Sequence, residues 1–349
     1  MHDSMAVHED SSDYDQVFLY SNSTASPEES NATMVVSVIV YAVTCLVGIP
    51  GNAFVLWIAG LKMKRTVNVV WFINLALADL LCCLAVPFSI ADAVMVSHWP
   101  YGNALCKIIP SIVLLNMFAS VFTLTVISLD RLVLVVRPVW AQNNRSLSLA
   151  WLLCGVSWLL ALSLSLPSVV QRGTVLDVFS NTTFCTFVSE EDFYSLEREV
   201  GSSWAVRVSH VFRLVFGFLL PILVISICYS LIVLRIRKSN FQSGRVFHII
   251  VAVIVAFFAC WLPYHIVGVA REYSEADMFD FDHLSVALAH FNSCLNPVLY
   301  VFMGQDFKEK VKLSLRQIFE NAFSENVTRS TITTRGQTSC PTNPSEAQL

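Results

Sequence analysis

The stretch NALCKIIPSIVLLNMFASVFTLTVISLDRLVLVV, residues 103–136, decides the fold. From Ile108 to Leu129 it carries no Asp, Glu, Lys or Arg. A run of roughly 20 such residues, wound as a helix, crosses the hydrocarbon of a bilayer. Comparable apolar blocks fall at 34–60, 67–96, 147–170, 204–234, 246–271 and 281–303. None shows sustained alternation at barrel-strand length. Helices, which satisfy their own backbone hydrogen bonds in lipid, are the expected solution. Composition agrees: 55% of residues are hydrophobic and 14% charged, against about a quarter charged in a soluble domain. Too few charges remain to clothe a water-soluble core of this size. The fold class is all-α: a seven-transmembrane helix bundle over 34–303, followed by a short cytoplasmic amphipathic helix.

The connections orient the bundle. One side carries Lys62, Lys64, Arg65, Arg137, Arg145, Arg235, Arg237, Lys238 and Arg245, then Lys308, Lys310, Lys312 and Arg316 after the last block. The other carries Glu190, Glu191, Asp192, Glu197, Glu199, Glu272, Glu275, Asp277 and Asp280. Basic loops stay inside, so the N-terminus is expected outside. Residues 1–33 hold seven acidic residues and no Lys or Arg, which reads as a disordered, solvated arm. They have no basic n-region or apolar h-region, so no cleavable signal peptide is expected. The glycosylation motifs at Asn22, Asn31 and Asn181 fall on the expected outer side; those at Asn144 and Asn326 fall inside and are expected to be unmodified. Residues 304–319 place Phe307, Val311, Leu315 and Phe319 on one stripe among basic residues, as an interfacial helix on the inner leaflet would. The polar tail, 320–349, reads either as plain linker or as a disordered phosphorylatable segment through Ser324, Thr328, Ser330, Thr331, Thr333 and Thr334.

Polar groups at depth carry function in such a bundle. Asp79 lies deep in the second block, and Asn52, Ser120, Asn292, Ser293 and Asn296 stand at comparable depth in others. One carboxylate among hydroxyls and amides suits a sodium ion or a proton; hydrogen-bonded packing without an ion is the alternative. Asp130 and Arg131 end the third block. They read either as a pair that parts when the bundle opens or as an arginine snorkelling to the interface. Prolines interrupt most blocks. Pro263 and Pro297 are placed for hinge motion, although ordinary kinking is equally compatible with them. Cys106 and Cys185 face the oxidising side, so a bridge from the longest outer loop, 171–203, to the bundle is expected.

Arg172 closes the fourth block, Arg213 lies below the outer surface in the fifth, and Asp282 stands at the top of the seventh. A cavity with two guanidiniums and one carboxylate suits a ligand bearing both a carboxylate and a cation. Alternatively, Arg213 and Asp282 neutralise each other. Tyr14 and Tyr194 lie in acidic contexts that suit sulfation, although ordinary exposed tyrosines fit as well. Together these acidic segments would steer a basic protein ligand.

The motif set resembles the rhodopsin-like G-protein-coupled receptors over about 34–320. It comprises Gly51-Asn52, LALAD ending at Asp79, Cys106 with Cys185, DRL at Asp130–Leu132, Trp158, Pro221, Tyr229, CWLPY at 260–264 and NPVLY at 296–300. DRL stands where that family usually has DRY; the acid and the arginine remain. The segments at 60–72, 79–84, 98–102, 105–122, 212–221 and 322–331 are similar to the anaphylatoxin receptors, especially the branch for the component-three fragment of complement. The branch for the component-five fragment and the chemerin receptor are alternatives. Mammalian relatives of the component-three branch have a very large second outer loop, where this chain has only 171–203.

The resemblance implies a cationic anaphylatoxin protein as ligand and a heterotrimeric Gi-type G protein as transducer, with receptor kinases and arrestin as regulators. It implies a multi-pass plasma-membrane location in the lipid bilayer and responses of chemotaxis and inflammation. It also implies residue roles. Arg172 and Arg213 grip the ligand's terminal carboxylate, Asp282 receives its terminal arginine, and Tyr264 walls the pocket. Asp79, Ser120, Asn292, Ser293 and Asn296 hold sodium. Asp130, Arg131, Tyr229, Trp261, Pro263, Asn296, Pro297 and Tyr300 form the switch that meets the G protein. Apart from sodium, no cofactor is expected, and no nucleic-acid partner. An enzyme is not expected: His210, His265 and His290 lack paired ligand spacing. No internal repeat suggests a transporter. A scavenger that binds ligand without signalling is the nearer rival, and the intact Asp130-Arg131 and NPVLY argue against it.

Overall fold

The computed structural model describes residues 27–95, 98–177, 181–188, 204–238, 245–273, 279–303 and 313. The chain runs as α1 (Pro27–Trp57), a π-helical turn (Ile58–Lys62), α2 (Val67–Val94), α3 (Gly102–Val136), α4 (Pro138–Asn144) and α5 (Leu147–Gln171). It continues through strands β1 (Arg172–Asp177) and β2 (Thr182–Phe187) to α6 (Trp204–Leu214). A second π-turn (Val215–Leu219) leads to α7 (Leu220–Lys238), α8 (Arg245–Tyr273) and α9 (Phe279–Met303). Among the described residues six helical segments are long and apolar enough to cross a membrane, with α6 and α7 joined by their π-turn into one. The seventh, α9, has spanning length and packs between α1 and α8. It is less apolar because it carries Asp282, His290, Asn292, Ser293 and Asn296.

Helix starts follow local chemistry. Thr66 caps α2 by accepting from the Val69 amide, and Ser146 caps α5 by accepting from the Leu149 amide. Helix α1 begins at Pro27, ahead of the apolar block at 34; proline and the acidic pair Glu28-Glu29 are residue types suited to a first turn.

Helix α3 is the axis, touching α2, α5, α7 and α8. In lipid, helices associate through close packing and interhelical hydrogen bonds rather than by escaping water. Leu152, Leu159, Leu162 and Leu166 of α5 are accordingly exposed, while small and polar residues meet inside. A Cβ at Gly51 would lie 3.0 Å from the Pro297 ring, which fits the close approach of α1 and α9. Pro297 has no N–H, so the carbonyl four residues earlier, at Ser293, lacks its helical donor. Asn52 Nδ2 donates to that carbonyl at 2.8 Å. Trp158 Nε1 donates to Asn74 Oδ1, and Asn74 Nδ2 donates to Thr123 Oγ1, tying α5, α2 and α3 together.

The sequence reading did not anticipate the hairpin β1–β2. It is antiparallel, with Arg172 opposite Phe187 and Thr174 opposite Cys185. Asn181 sits exposed in its turn at φ 51°, a left-handed conformation that Asn tolerates.

Candidate functional site

The hairpin closes one end of the bundle. Cys106 and Cys185 are bridged, with Cα atoms 5.5 Å apart. The Trp99 amide donates to Thr183 O at 2.6 Å and the Val188 amide to Gln171 O at 2.8 Å. Trp99 itself is buried with Cys106, and Tyr101 and Phe88 pack on this cluster. HWPYG is thus an anchor for the hairpin, with Gly102 at φ 75° supplying a turn that a side chain would strain.

That scaffold presents Arg172 at the first strand position. Its guanidinium carbon lies 4.4 Å from the centroid of Phe187, its cross-strand neighbour. Burial, then the neighbouring Arg213 charge, draws the Arg172 guanidinium below its ordinary range. Arg172 is also within electrostatic reach of Tyr264, Asp282 and Arg271.

Arg213 is 5% exposed, and its Nη2 has no hydrogen-bond partner among the described residues; nor does Nε of Arg172. The π-turn at Val215–Leu219 follows directly. Its wider turn re-phases α6 against α7, so the face that Arg213 occupies could not be counted from Pro221 by ordinary helical spacing. Asp282 does not pair with Arg213, one of the two alternatives the sequence left open. Its Oδ2 is held by Arg271 Nη1 at 2.9 Å. Arg271, and Asp92 at the end of α2 within reach of Arg172 and Asp282, escaped the sequence reading. The only available signal was a charge one or two turns from a helix end. Tyr264 stands edge-on to Trp261 at 5.5 Å, and Trp261 is wholly buried.

At mid-bundle, Asp79 is fully buried. Asn296 Nδ2 donates to its Oδ2 at 2.7 Å. Ser120 Oγ donates to Asn116 Oδ1 at 3.2 Å, and Asn116 Nδ2 to Ser293 Oγ at 3.1 Å. Asp79 Oδ1, Asn296 Oδ1, Asn292 Oδ1 and Asn52 Oδ1 are buried without hydrogen-bond partners among the described residues. The hydrogen bonds thus join Asp79 to Asn296 and, through Asn116, Ser120 to Ser293, while Asn292 is buried with no side-chain hydrogen bond to them. Unpartnered buried oxygens around a carboxylate fit a small hard cation or water.

Between Asp79 and Asp130 lies an apolar layer that includes Phe72, Leu75, Leu124, Ile127, Ile249 and Val253. Beyond it, Arg131 Nη2 meets Asp130 Oδ2 at 3.0 Å. Arg145, just after α4, makes the better fork: Nε to Oδ1 at 2.7 Å and Nη2 to Oδ2 at 3.1 Å. Asn68 Oδ1 accepts from both arginines. Tyr229 packs on Phe247 and lies within electrostatic reach of Arg131. Pro263 and Pro297 are interior to α8 and α9. Tyr14, Asn22, Tyr194, the 304–319 helix and the tail residues Ser324, Thr328, Ser330, Thr331, Thr333 and Thr334 fall outside the described residues, as do the side chains of Asn31 and Tyr300.

A pair of arginines near the hairpin, a polar mid-bundle cluster and a closed arginine–carboxylate cluster thus lie in series along one bundle. Residues 51–300 match the family model of the 7 transmembrane receptor (rhodopsin family). A C3a anaphylatoxin chemotactic receptor of Oncorhynchus mykiss is 54% identical, over 94% of this chain and 91% of its own length. One of Danio rerio is 49% identical over 93% and 87%. The C5a anaphylatoxin chemotactic receptor 1 of Oryctolagus cuniculus is 40% identical over 84% and 83%. The chain belongs to the rhodopsin family of seven-transmembrane, G-protein-coupled receptors, in its anaphylatoxin receptor branch, and is a multi-pass protein of the plasma membrane rather than an enzyme.

Proposed function

We propose that this receptor responds to the component-three anaphylatoxin fragment and signals through an inhibitory Gi-type G protein to chemotactic and inflammatory responses. The observation that carries the reading is the pair Arg172 and Arg213, half-buried and buried, each with an unpartnered N–H and neither in an ion pair among the described residues. Two guanidiniums converging in a partly dry vestibule are a receptor for a carboxylate. Asp282, beside them, is a receptor for a cation. A protein whose C-terminus is an arginine carries both groups on one residue. The high identity to receptors named for this fragment agrees.

In this reading the disulfide end faces outward and the basic loops inward, which also puts the acidic arm outside. The arm and the acidic loop steer the cationic ligand. Glycosylation at Asn22, Asn31 and Asn181 and sulfation at Tyr14 and Tyr194 belong to that face. Inside, phosphorylation of the tail by receptor kinases would recruit arrestin. Sodium would be held by Asp79 with Ser120, Asn292, Ser293 and Asn296, supplying positive charge that stabilises the closed bundle.

Ligand binding acts only through preference for the open state. Tyr264 and Trp261 connect the vestibule to α8, which Pro263 lets bend. Opening the far end requires Arg131 to leave Asp130 and meet the G protein. The fork from Arg145 keeps Asp130 paired when Arg131 leaves.

The test is G-protein activation in cells expressing this chain, with the purified component-three fragment, the same fragment lacking its terminal arginine, and the component-five fragment. Activation by the intact component-three fragment alone is expected. Activation by the component-five fragment alone would move the receptor to the sister ligand.

A further inference from the structure

Asp282 is already occupied. Its carboxylate is held by Arg271, from the last turn of α8, at 2.9 Å. The two side chains are 48% and 39% exposed, so the pair sits in water at the mouth of the bundle. Such pairs are weak, because water and salt screen them and each long side chain loses freedom in making them. Arg172 and Arg213 behave differently: each has a buried N–H group without a hydrogen-bond partner among the described residues, although Arg172 stacks on Phe187 and lies within electrostatic reach of Asp92 and Asp282. This end therefore has two cations with N–H groups open to an incoming anion, and, beside Asp92, a shallow carboxylate at Asp282 filled by an exchangeable internal cation.

We infer that Arg271 is an internal competitor for Asp282, which a ligand's terminal guanidinium must displace, so that Arg271 sets how strongly the receptor discriminates for ligands ending in a cationic side chain. The inference rests on the proposed function for the identity of the cation. The exchange swaps one guanidinium for another on the same carboxylate, so no charge is buried or left unpaired except that of Arg271, which is returned to water. Because the pair joins α8 to α9, the exchange also unties the end of the helix that carries Pro263. A ligand without the cation has no means of opening the tie.

The consequence is opposite to that for an ordinary pocket residue: removing Arg271 strengthens binding of the right ligand. The probes are two synthetic peptides with the C-terminal sequence of the component-three fragment, one ending in arginine and one in citrulline, which keeps the shape without the charge. In Arg271→Ala the arginine peptide gains affinity by up to about fivefold, the most that an exposed pair holds back, and the citrulline peptide does not change. In an Asp282→Asn background the same Arg271→Ala change gives no gain, since nothing remains to compete for. Arg271→Lys keeps the competition and stays near wild type.

Surface expression, followed with an antibody tag, separates misfolding from these effects. Loss of affinity for both peptides in normally expressed Arg271→Ala would overturn the inference, as would an equal gain for both or a gain that persists with Asp282→Asn. If neither component-three peptide engages the wild type and arginine-ended component-five peptides do, the ligand assignment fails. The same arginine-against-citrulline comparison on those peptides then decides the role of Arg271.

Discussion

Asp130 and Asp282 are both carboxylates held by arginine near a helix end, and their surroundings differ. Asp130 is 12% exposed and takes a fork from Arg145 and a single bond from Arg131, with Asn68 accepting from both. Asp282 is 39% exposed and takes one contact from Arg271. At the Asp130 end Arg131 and Arg145 share a carboxylate inside the protein, with Nε of Arg131 left over. At the Asp282 end Arg172 and Arg213 have none among the described residues. The first arrangement is closed on itself; under the proposed function the second is completed by a ligand. That is the difference expected between a conformational lock and a ligand site.

The largest effect should come from breaking the incomplete end. Arg213→Ala is expected to cut ligand potency by about 100-fold, as truncating one partner of a buried charge pair does, with surface expression kept. Calcium or cyclic-nucleotide dose–response curves read it directly, and unchanged potency would remove Arg213 from the ligand site. Breaking the complete end acts on the resting state instead. Asp130→Asn deprives Arg131 and Arg145 of their shared anion and should raise ligand-free nucleotide exchange on the G protein about fivefold, the low end of coupling between states. No rise would mean the cluster does not hold the bundle closed.

Mid-bundle, sodium should lower agonist affinity severalfold in the wild type, roughly the scale of an allosteric coupling of 1 kcal/mol. Asp79→Asn should abolish that dependence; a sodium effect surviving the substitution would place the ion elsewhere. The smallest effect is on encounter. Raising ionic strength from about 0.05 to 0.3 M should slow association roughly two- to threefold while changing dissociation little, because steering by exposed charges is screened. Surface plasmon resonance on purified receptor separates the two rates.

The membrane blocks were legible because a helix in lipid must be apolar along its length, and the deep polar residues stood out against them. Asp79 with Asn296, and Asp130 with Arg131, were readable as groups for that reason. Their completing partners were not. Asn116 sits in an apolar run and looks like a filler until α9 brings Ser293 to it. Arg145 lies fifteen positions beyond Asp130, and only the short helix α4 turns it back. Arg271 and Asp282 belong to different helices, and their meeting depends on how α8 and α9 pack. The hairpin was hidden because the loop read as a charge-rich connection, with its alternation confined to six-residue strands.

If Arg172 and Arg213 await a ligand carboxylate, replacing that carboxylate with an amide removes what they bind. Binding of the component-three C-terminal peptide, as free acid and as amide, would be measured on wild type and on Arg213→Ala. Amidation is expected to weaken wild-type binding by about 100-fold and the variant's by far less, since the lost contact is shared. An equal loss from amidation in both receptors would contradict that role, because the carboxylate would then be read by groups other than Arg213.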